Sequence, residues 1–464
     1  MGFRVVGCLG CGQETINLLA RQDNLLYCIP TFLQAGASPG GQDATLNFYL
    51  VCILAILLLG ALLELIAGLL ELRSLHPELP AEFVGVYDRD RYARAQEYTR
   101  ATTRLALVRR TVGLVLTLAF ILLGGFNLVD ALARGLGLAA VPTGLVFTGL
   151  LALLWGAVQL PFSVYATFGI EERFGLNTTT PLTFLLDTLK GMLLAVVLGG
   201  PLLAGVFLLF EAGGPAAWIL CWLAVSAFLL VVQFLAPVVL LPLFNRFTPL
   251  AEGELRAAIT RYAANERFAV GGIFTMDGSR RSTRANAFFT GFGRFRRIVF
   301  FDTLLERLTT AEIVAVLAHE IGHWRLKHIP VMVGLSVLQT GLLFFLLSRF
   351  LDNPGLFAAF GMEHLSVYGS VVFFGFLYTP IATLLAVGVN GLSRRHEYQA
   401  DRFAVHTGAG AESLISGLKK LSVSNLANLT PHPVNVRLSH SHPPVLERIA
   451  ALRQVAADVA GAAR

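Results

Sequence analysis

A chain of 464 residues that is 55% hydrophobic and only 14% charged, with a mean hydropathy of +0.66, is too apolar for an ordinary soluble protein of this length. Its formal charge of +6 and pI near 9.2 come without any basic-aromatic binding pattern, which excludes a nucleic-acid partner as their explanation.

Residues 1–45 precede the first long apolar block and read as an extracytoplasmic segment. They hold Cys8-Leu9-Gly10-Cys11, a lone C-x-x-C that is weak grounds for zinc or redox chemistry without a second pair. No Ser or Thr stands at position six to complete a myristoylation signal after Met1-Gly2, and the polar middle does not suit a signal peptide. Seven apolar blocks follow, each long enough for the roughly 20 residues of helix that cross a bilayer. They cover 48–71, 111–132, 144–166, 183–210, 216–241, 329–349 and 367–392. Gly199-Gly200-Pro201 and Pro237 lie inside blocks, as membrane helices tolerate. The expected organisation is spans one to five with loops at 46–241, a soluble insert at 242–328, spans six and seven at 329–392, and a soluble segment at 393–464. Glu64 lies deep in the first span and must face protein or water. Asp187 and Lys190, at the mouth of the fourth, form a salt bridge or part of a chamber wall.

Positive charge sets the orientation. Of the 36 basic residues, 30 fall in 72–110, in 242–328 or from Arg394 onward, and the opposite set of loops holds almost none. By the positive-inside rule the N-terminus is outside and the C-terminus cytoplasmic, as seven spans permit. Both soluble segments then lie on the cytoplasmic side.

The chemistry is concentrated in His319-Glu320-Ile321-Gly322-His323. Residues four apart share a helix face, so His319 and His323 can point their imidazoles at one metal ion. Glu320 projects beside them, where a carboxylate can take a proton from water activated by the metal. Thr309 and Glu312 have capping-box spacing, and Ile313, Leu317 and Ile321 repeat every four residues, so the segment is helical. Catalytic zinc needs a third protein ligand and an open fourth position. Glu397 and Asp401, again four apart, can both face such a site, one binding metal while the other accepts a histidine ring N–H. His396 points about 100° away from Glu397. An ordinary charged helix start, with Arg394 and Arg395 snorkelling from the last span, explains the same residues without a metal.

Together these segments resemble the type I CAAX prenyl endopeptidases, integral-membrane zinc metalloproteases that process farnesylated proteins. The likeness rests on His319–His323 followed some seventy residues later by Glu397-Tyr398-Gln399-Ala400-Asp401. It extends to Ser282-Thr283-Arg284-Ala285-Asn286-Ala287-Phe288-Phe289, Arg297-Ile298-Val299-Phe300-Phe301-Asp302-Thr303-Leu304-Leu305, Ser441-His442-Pro443-Pro444-Val445-Leu446-Glu447-Arg448 and Ile170-Glu171-Glu172-Arg173-Phe174-Gly175-Leu176-Asn177-Thr178. It runs from about 85 to 455, and the first 45 residues have no counterpart in it.

The resemblance implies a mainly α, polytopic fold: seven membrane helices in a barrel around a water-filled chamber, with a zincin-like domain carrying a small β-hairpin. That hairpin, Ala285–Phe289 with Arg297–Phe301 joined through Thr290-Gly291-Phe292-Gly293, is the only sheet expected. One zinc ion per chain is implied, held by His319, His323 and Glu397. Glu320 is implied as the base, Asp401 as the residue orienting His319, and Asn286 as a holder of substrate backbone. His442 would stabilise the oxyanion with support from Arg448. His328, His432 and His440 receive no role beyond loop or interface residues.

The expected activity is zinc-dependent peptide hydrolysis. The competing readings are a transporter with an incidental metal site and a catalytically idle membrane zinc protein acting in quality control or translocon clearance. Glu320 argues against the first, and no required residue is missing to support the second. Partners are then a peptide or protein substrate, C-terminally prenylated if the resemblance extends that far, and the lipid bilayer. Lysine occurs only at 190, 327, 419 and 420; this arginine bias fits a GC-rich genome and favours a bacterial plasma membrane. In a eukaryotic host the membrane would be the endoplasmic reticulum.

Overall fold

Residues 47–290 and 296–462 are described by the structure, a computed structural model. The expectations for residues 1–45, for Cys8 and Cys11, and for the connection through Gly291 and Gly293 lie outside them. Seven helices among the described residues are long and apolar enough to cross a membrane: Phe48–Arg73, Arg89–Leu122, Ala140–Glu171, Pro181–Ala212, Gly214–Phe244, His328–Leu347 and Val367–His406.

Two spans differ from their hydropathy blocks. The second begins at Arg89, capped by the Asp88 carboxylate, and ends at Leu122 rather than 132. There Gly124 takes a φ of +71°, a left-handed conformation that costs glycine little, and Gly125–Arg134 forms a separate short helix. The seventh helix does not stop at 392. It continues unbroken to His406, so Glu397 and Asp401 belong to the span's own helix and not to a new helix start.

Each span packs against the next in chain order, and the seventh returns to the first, which closes a ring. Five consecutive residues of the first span, 62–66, are exposed, and at 100° per residue they go right round the helix. A helix in a solid bundle buries a stripe along its length; a barrel wall, open to lipid on one side and to a chamber on the other, does not. Glu64 points away from the face carrying Leu62 and Ile66 and pairs with Arg110 of the second span at 3.2 Å. The seventh span also packs against the third and fourth. There Tyr368 packs on Phe147 and Phe207, its hydroxyl donates to Asp130 at 2.5 Å, and Phe126 meets the stacked rings of Phe360 and Phe373 edge-on.

The remaining half is built on a four-stranded sheet, in spatial order β1 (Phe247–Pro249), β2 (Gly272–Met276), β4 (Arg297–Phe301) and β3 (Ala287–Thr290), where one hairpin was expected. The hairpin is present as β3 (Ala287–Thr290) antiparallel to β4 (Arg297–Phe301). The two additional strands are β1 (Phe247–Pro249), three residues ending in proline, and β2 (Gly272–Met276), parallel to β4. Helix α1 (Glu254–Asn265) connects them. Then come α2 (Thr310–Arg325), α3 (Ala411–Ser424), α4 (Pro433–Ser439) and α5 (Val445–Ala462). Their core includes Ile313, Leu317 and Ile321, the three residues read as the buried stripe of α2.

Polar clamps join this half to the spans. Arg281 grips Asp187 with two bonds of 2.7 and 3.0 Å and also donates to Phe244 and Asn245. Asp187 therefore does not pair with Lys190, whose ammonium donates to the Leu243 carbonyl. Glu71, buried at the end of the first span, accepts from the Asn428 side chain at 2.7 Å and the His432 amide at 2.9 Å. His432 in turn caps α4.

Candidate metal centre

Helix α2 opens with the capping box expected of Thr309 and Glu312: the Glu312 carboxylate accepts from the Thr309 amide at 2.8 Å, and Thr309 Oγ1 accepts from the Glu312 amide. Such a cap is worth about 1 kcal/mol. Glu312 also accepts from Ser416 and Lys420, which ties α2 to α3. Its far end meets the seventh helix at Gly322. A Cβ added there would lie 3.1 Å from Ala400 Cα and 3.2 Å from its carbonyl oxygen, backbone atoms that cannot easily give way. The glycine lets the two helices approach closely enough for their ligand-type side chains to converge.

They do converge. His319, His323 and Glu397 are buried, and one donor atom from each lies within 4.8 Å of the others. His319 Nε2 and His323 Nε2 are 3.2 Å apart, and they lie 3.5 and 3.4 Å from the Glu397 carboxylate oxygens. A tetrahedral metal with bonds of about 2.0–2.1 Å has edges of about 3.3–3.4 Å. The two imidazole nitrogens are close to such an edge, and each faces a different oxygen of the Glu397 carboxylate, a donor set of the kind that holds zinc. Glu320, next to His319 on α2, is also buried.

Asp401 Oδ1 accepts from His319 Nδ1 at 2.8 Å, one turn beyond Glu397 on the seventh helix. Burial alone would make protonating His319 harder, but the Asp401 charge and hydrogen bond outweigh it and hold the imidazole at about 9. At His323 burial prevails and the pKa is lowered. Arg448, from the first turns of α5, donates to both Asp401 oxygens at 2.6 and 2.8 Å and sits 3.3 Å from Glu397. His442 brings Nδ1 to 3.1 Å from Glu397 Oε2 and keeps about a quarter of its side chain exposed. Its loop is held by Arg394, which donates to the carbonyls of Val436 and His440. Arg394 thus clamps the loop that carries His442.

Asn286 directly precedes β3, an edge strand of the sheet. It is buried, and its Oδ1 accepts from the Ala287 amide at 2.8 Å. Asn425 bonds both the N–H and the carbonyl of Ala285, fixing the strand's entry.

His328 is the site residue that the sequence reading missed. Its Nδ1 lies 3.0 Å from His323 Nδ1, and its ring stacks on His396 at 3.9 Å. The available signal was a third histidine five residues after His323, where the chain must reverse to enter an apolar block. Lys327 makes that reversal with a φ of +59°.

Two imidazoles and a carboxylate brought together from two crossing helices, one of them a membrane-type span, define the candidate metal centre of an integral-membrane protein, with the Glu320 carboxylate beside it as in a metal-dependent hydrolase. Known proteins narrow the class. Residues 69–246 match a family described as "CAAX prenyl protease N-terminal, five membrane helices", and residues 249–456 match "Peptidase family M48". The chain is 34% identical to the CAAX prenyl protease 1 homolog of Oryza sativa subsp. japonica over 87% of its length and 97% of that protein's. It is 35% identical to CAAX prenyl protease 1 of Saccharomyces cerevisiae, over 82% of its length and 89% of the yeast protein's. The solved structure described as S. mikatae Ste24p matches with a TM-score of 0.83 and 31% identity, covering 87% of this chain and 99% of that one. The chain belongs to peptidase family M48, in its CAAX prenyl protease branch, and is a membrane metalloendopeptidase.

Proposed function

We propose that this chain cleaves peptide bonds with one zinc ion held by His319, His323 and Glu397, and that it accepts C-terminally prenylated substrates where its host makes them. The observation that carries the metal assignment is the convergence of one buried ligand atom from each of His319, His323 and Glu397 within 4.8 Å of one another, the two imidazole Nε2 atoms 3.2 Å apart and each facing one of the two Glu397 oxygens at 3.4–3.5 Å. When bound, zinc supplies the Lewis acidity that makes water acidic near neutral pH and polarises a carbonyl.

The protein's own groups do the rest. Glu320 takes a proton from the attacking water and delivers it to the leaving amine, so hydroxyl goes to the acyl carbon and hydrogen to nitrogen. His442 donates to the oxygen that becomes negative as the carbonyl carbon turns tetrahedral, and Arg448 steadies Glu397 and Asp401. Asp401 orients His319. Substrate lies extended along the edge of β3, where Asn286 can hold its backbone; strand addition to an open sheet edge is a general mode of peptide recognition. The barrel's interior gives a prenyl chain somewhere to go, and the names of the rice and yeast relatives support that class. Lipid bilayer surrounds the spans, with both soluble segments cytoplasmic by charge.

The test is cleavage of matched farnesylated and unmodified peptides by the purified chain in detergent. Glu320→Gln should abolish turnover with zinc retained, whereas Glu397→Ala should lose both. Equal rates on both peptides would remove prenylation from the proposal; full zinc retention in Glu397→Ala would move the third ligand elsewhere.

A further inference from the structure

His319 and His323 resemble each other as ligands but differ in what stands behind them. His319 Nδ1 meets a carboxylate, Asp401. Behind His323 Nδ1 stands His328 Nδ1 at 3.0 Å, and His328 Nε2 meets Gln399 Oε1 at 2.9 Å. Gln399 lies on the seventh helix between Glu397 and Asp401. His396, three residues before Gln399 on that helix, lies flat against the His328 ring with an interplanar angle of 6°. Residues 396 to 401 thus supply a ligand, the backing of one histidine, and both the stacking face and the terminal acceptor for the group that backs the other.

We infer that His328 and Gln399 form a hydrogen-bonded relay that holds His323 in the orientation and tautomer needed to bind a metal through Nε2. The reasoning rests on the metal assignment proposed above. A neutral imidazole has one N–H, so a His323 that offers Nε2 to a metal carries its proton on Nδ1. That proton is donated to His328 Nδ1, which must then be the acceptor. The His328 proton is left on Nε2, facing the Gln399 carbonyl oxygen. Each of the three groups has one partner of the right kind. Reversing the relay, with the Gln399 amide turned to donate, puts a proton on His328 Nδ1 and leaves two N–H groups facing each other at 3.0 Å whenever the metal is bound. His328 and Gln399 are positioning residues. They act on the metal only through His323, and they do so without adding a charge.

The experiment is zinc affinity, measured by chelator competition on the metal-stripped full chain in detergent, with thermal unfolding of each metal-free variant as the control for folding. His328→Phe keeps a ring against His396 and removes both nitrogens; affinity should fall about 10- to 100-fold, the usual cost of losing an outer partner of a ligand histidine. The Gln399 series tests direction. Gln399→Glu preserves the acceptor and should hold zinc at least as tightly as wild type. Gln399→Met removes the acceptor and should weaken binding. Gln399→Lys places a donor there, favours the wrong His328 tautomer and should weaken it most.

A position that merely fills space does not rank these substitutions by acceptor and donor character. Wild type that binds zinc, with all variants matching it or Gln399→Glu falling as far as Gln399→Lys, overturns the relay and leaves the metal assignment standing. Wild type that binds no zinc overturns both. If His328→Phe does not fold, the Gln399 series decides alone.

Discussion

Asp401 Oδ1 lies 2.8 Å from His319 Nδ1, and this contact sets the protonation of the centre before any metal arrives. With its pKa raised to about 9, His319 in the metal-free protein carries a proton at neutral pH. Zinc binding through Nε2 must displace that proton. Apparent zinc affinity should therefore rise about tenfold per pH unit from neutrality up to about pH 9 and flatten above it. Asp401→Asn removes the charge that raises the pKa, so its curve should flatten at lower pH. Chelator competition across this range measures both curves; a pH-independent wild type would contradict the coupling.

Arg448 is the buried cation between two buried carboxylates, bonded to Asp401 at 2.6 and 2.8 Å and 3.3 Å from Glu397. Arg448→Ala should destabilise the metal-free protein by about 3–5 kcal/mol, because it leaves negative charge in a low-dielectric site. Adding Asp401→Asn should recover part of the loss, since the pair shares one electrostatic problem. Thermal or denaturant unfolding of the two single variants and the double variant checks this. Strict additivity would mean that the ion pair contributes nothing through mutual contact.

Much of this site is legible in the sequence because it is local. Four-residue spacing on a helix places His319 with His323, and Glu397 with Asp401, on common faces, and Thr309 with Glu312 announces where α2 begins. What escapes is what depends on close approach or chain reversal. Gly322 occupies an unspecified position of the motif, yet its contact with Ala400 sets how closely the two helices cross. His328 reaches His323 only because Lys327 turns the chain in a left-handed conformation, which a lysine does not advertise. Strand β1 has only three residues, too few for alternation to show, and β2 is held by parallel pairing to a strand that comes after β3. The second span was misjudged at both ends: its first turns are polar, and Gly124 breaks an apolar run that hydropathy reads as continuous.

The charge distribution makes a topological prediction independent of the chemistry. Single cysteines introduced near residues 40 and 455 should differ in labelling by an impermeant reagent on intact cells, the first reacting and the second protected. Protection of the first with labelling of the second would invert the protein and put the metal centre outside. Labelling of both would be incompatible with an odd number of spans.

His442 carries the most specific expectation about the transition state. Its loop is anchored by Arg394 through the carbonyls of Val436 and His440, so the imidazole is held at the centre, and partial exposure leaves it room to meet substrate. A donor to the developing oxyanion interacts most strongly in the transition state. His442→Ala should then lower kcat and kcat/KM by about the same factor, on the order of 10²–10³. Zinc content should persist, because the proposed ligand set is complete without it. A purely structural histidine ahead of Pro443-Pro444 would instead lower thermal stability and leave a modest rate change that tracks unfolding. The contact at 3.1 Å to Glu397 adds a third outcome: if His442 mainly steadies that carboxylate, zinc affinity falls and kcat per bound zinc is unchanged. Kinetics normalised to metal content, together with one unfolding curve on the same purified variant, separate the three, and a near-normal kcat per zinc would remove His442 from the reaction.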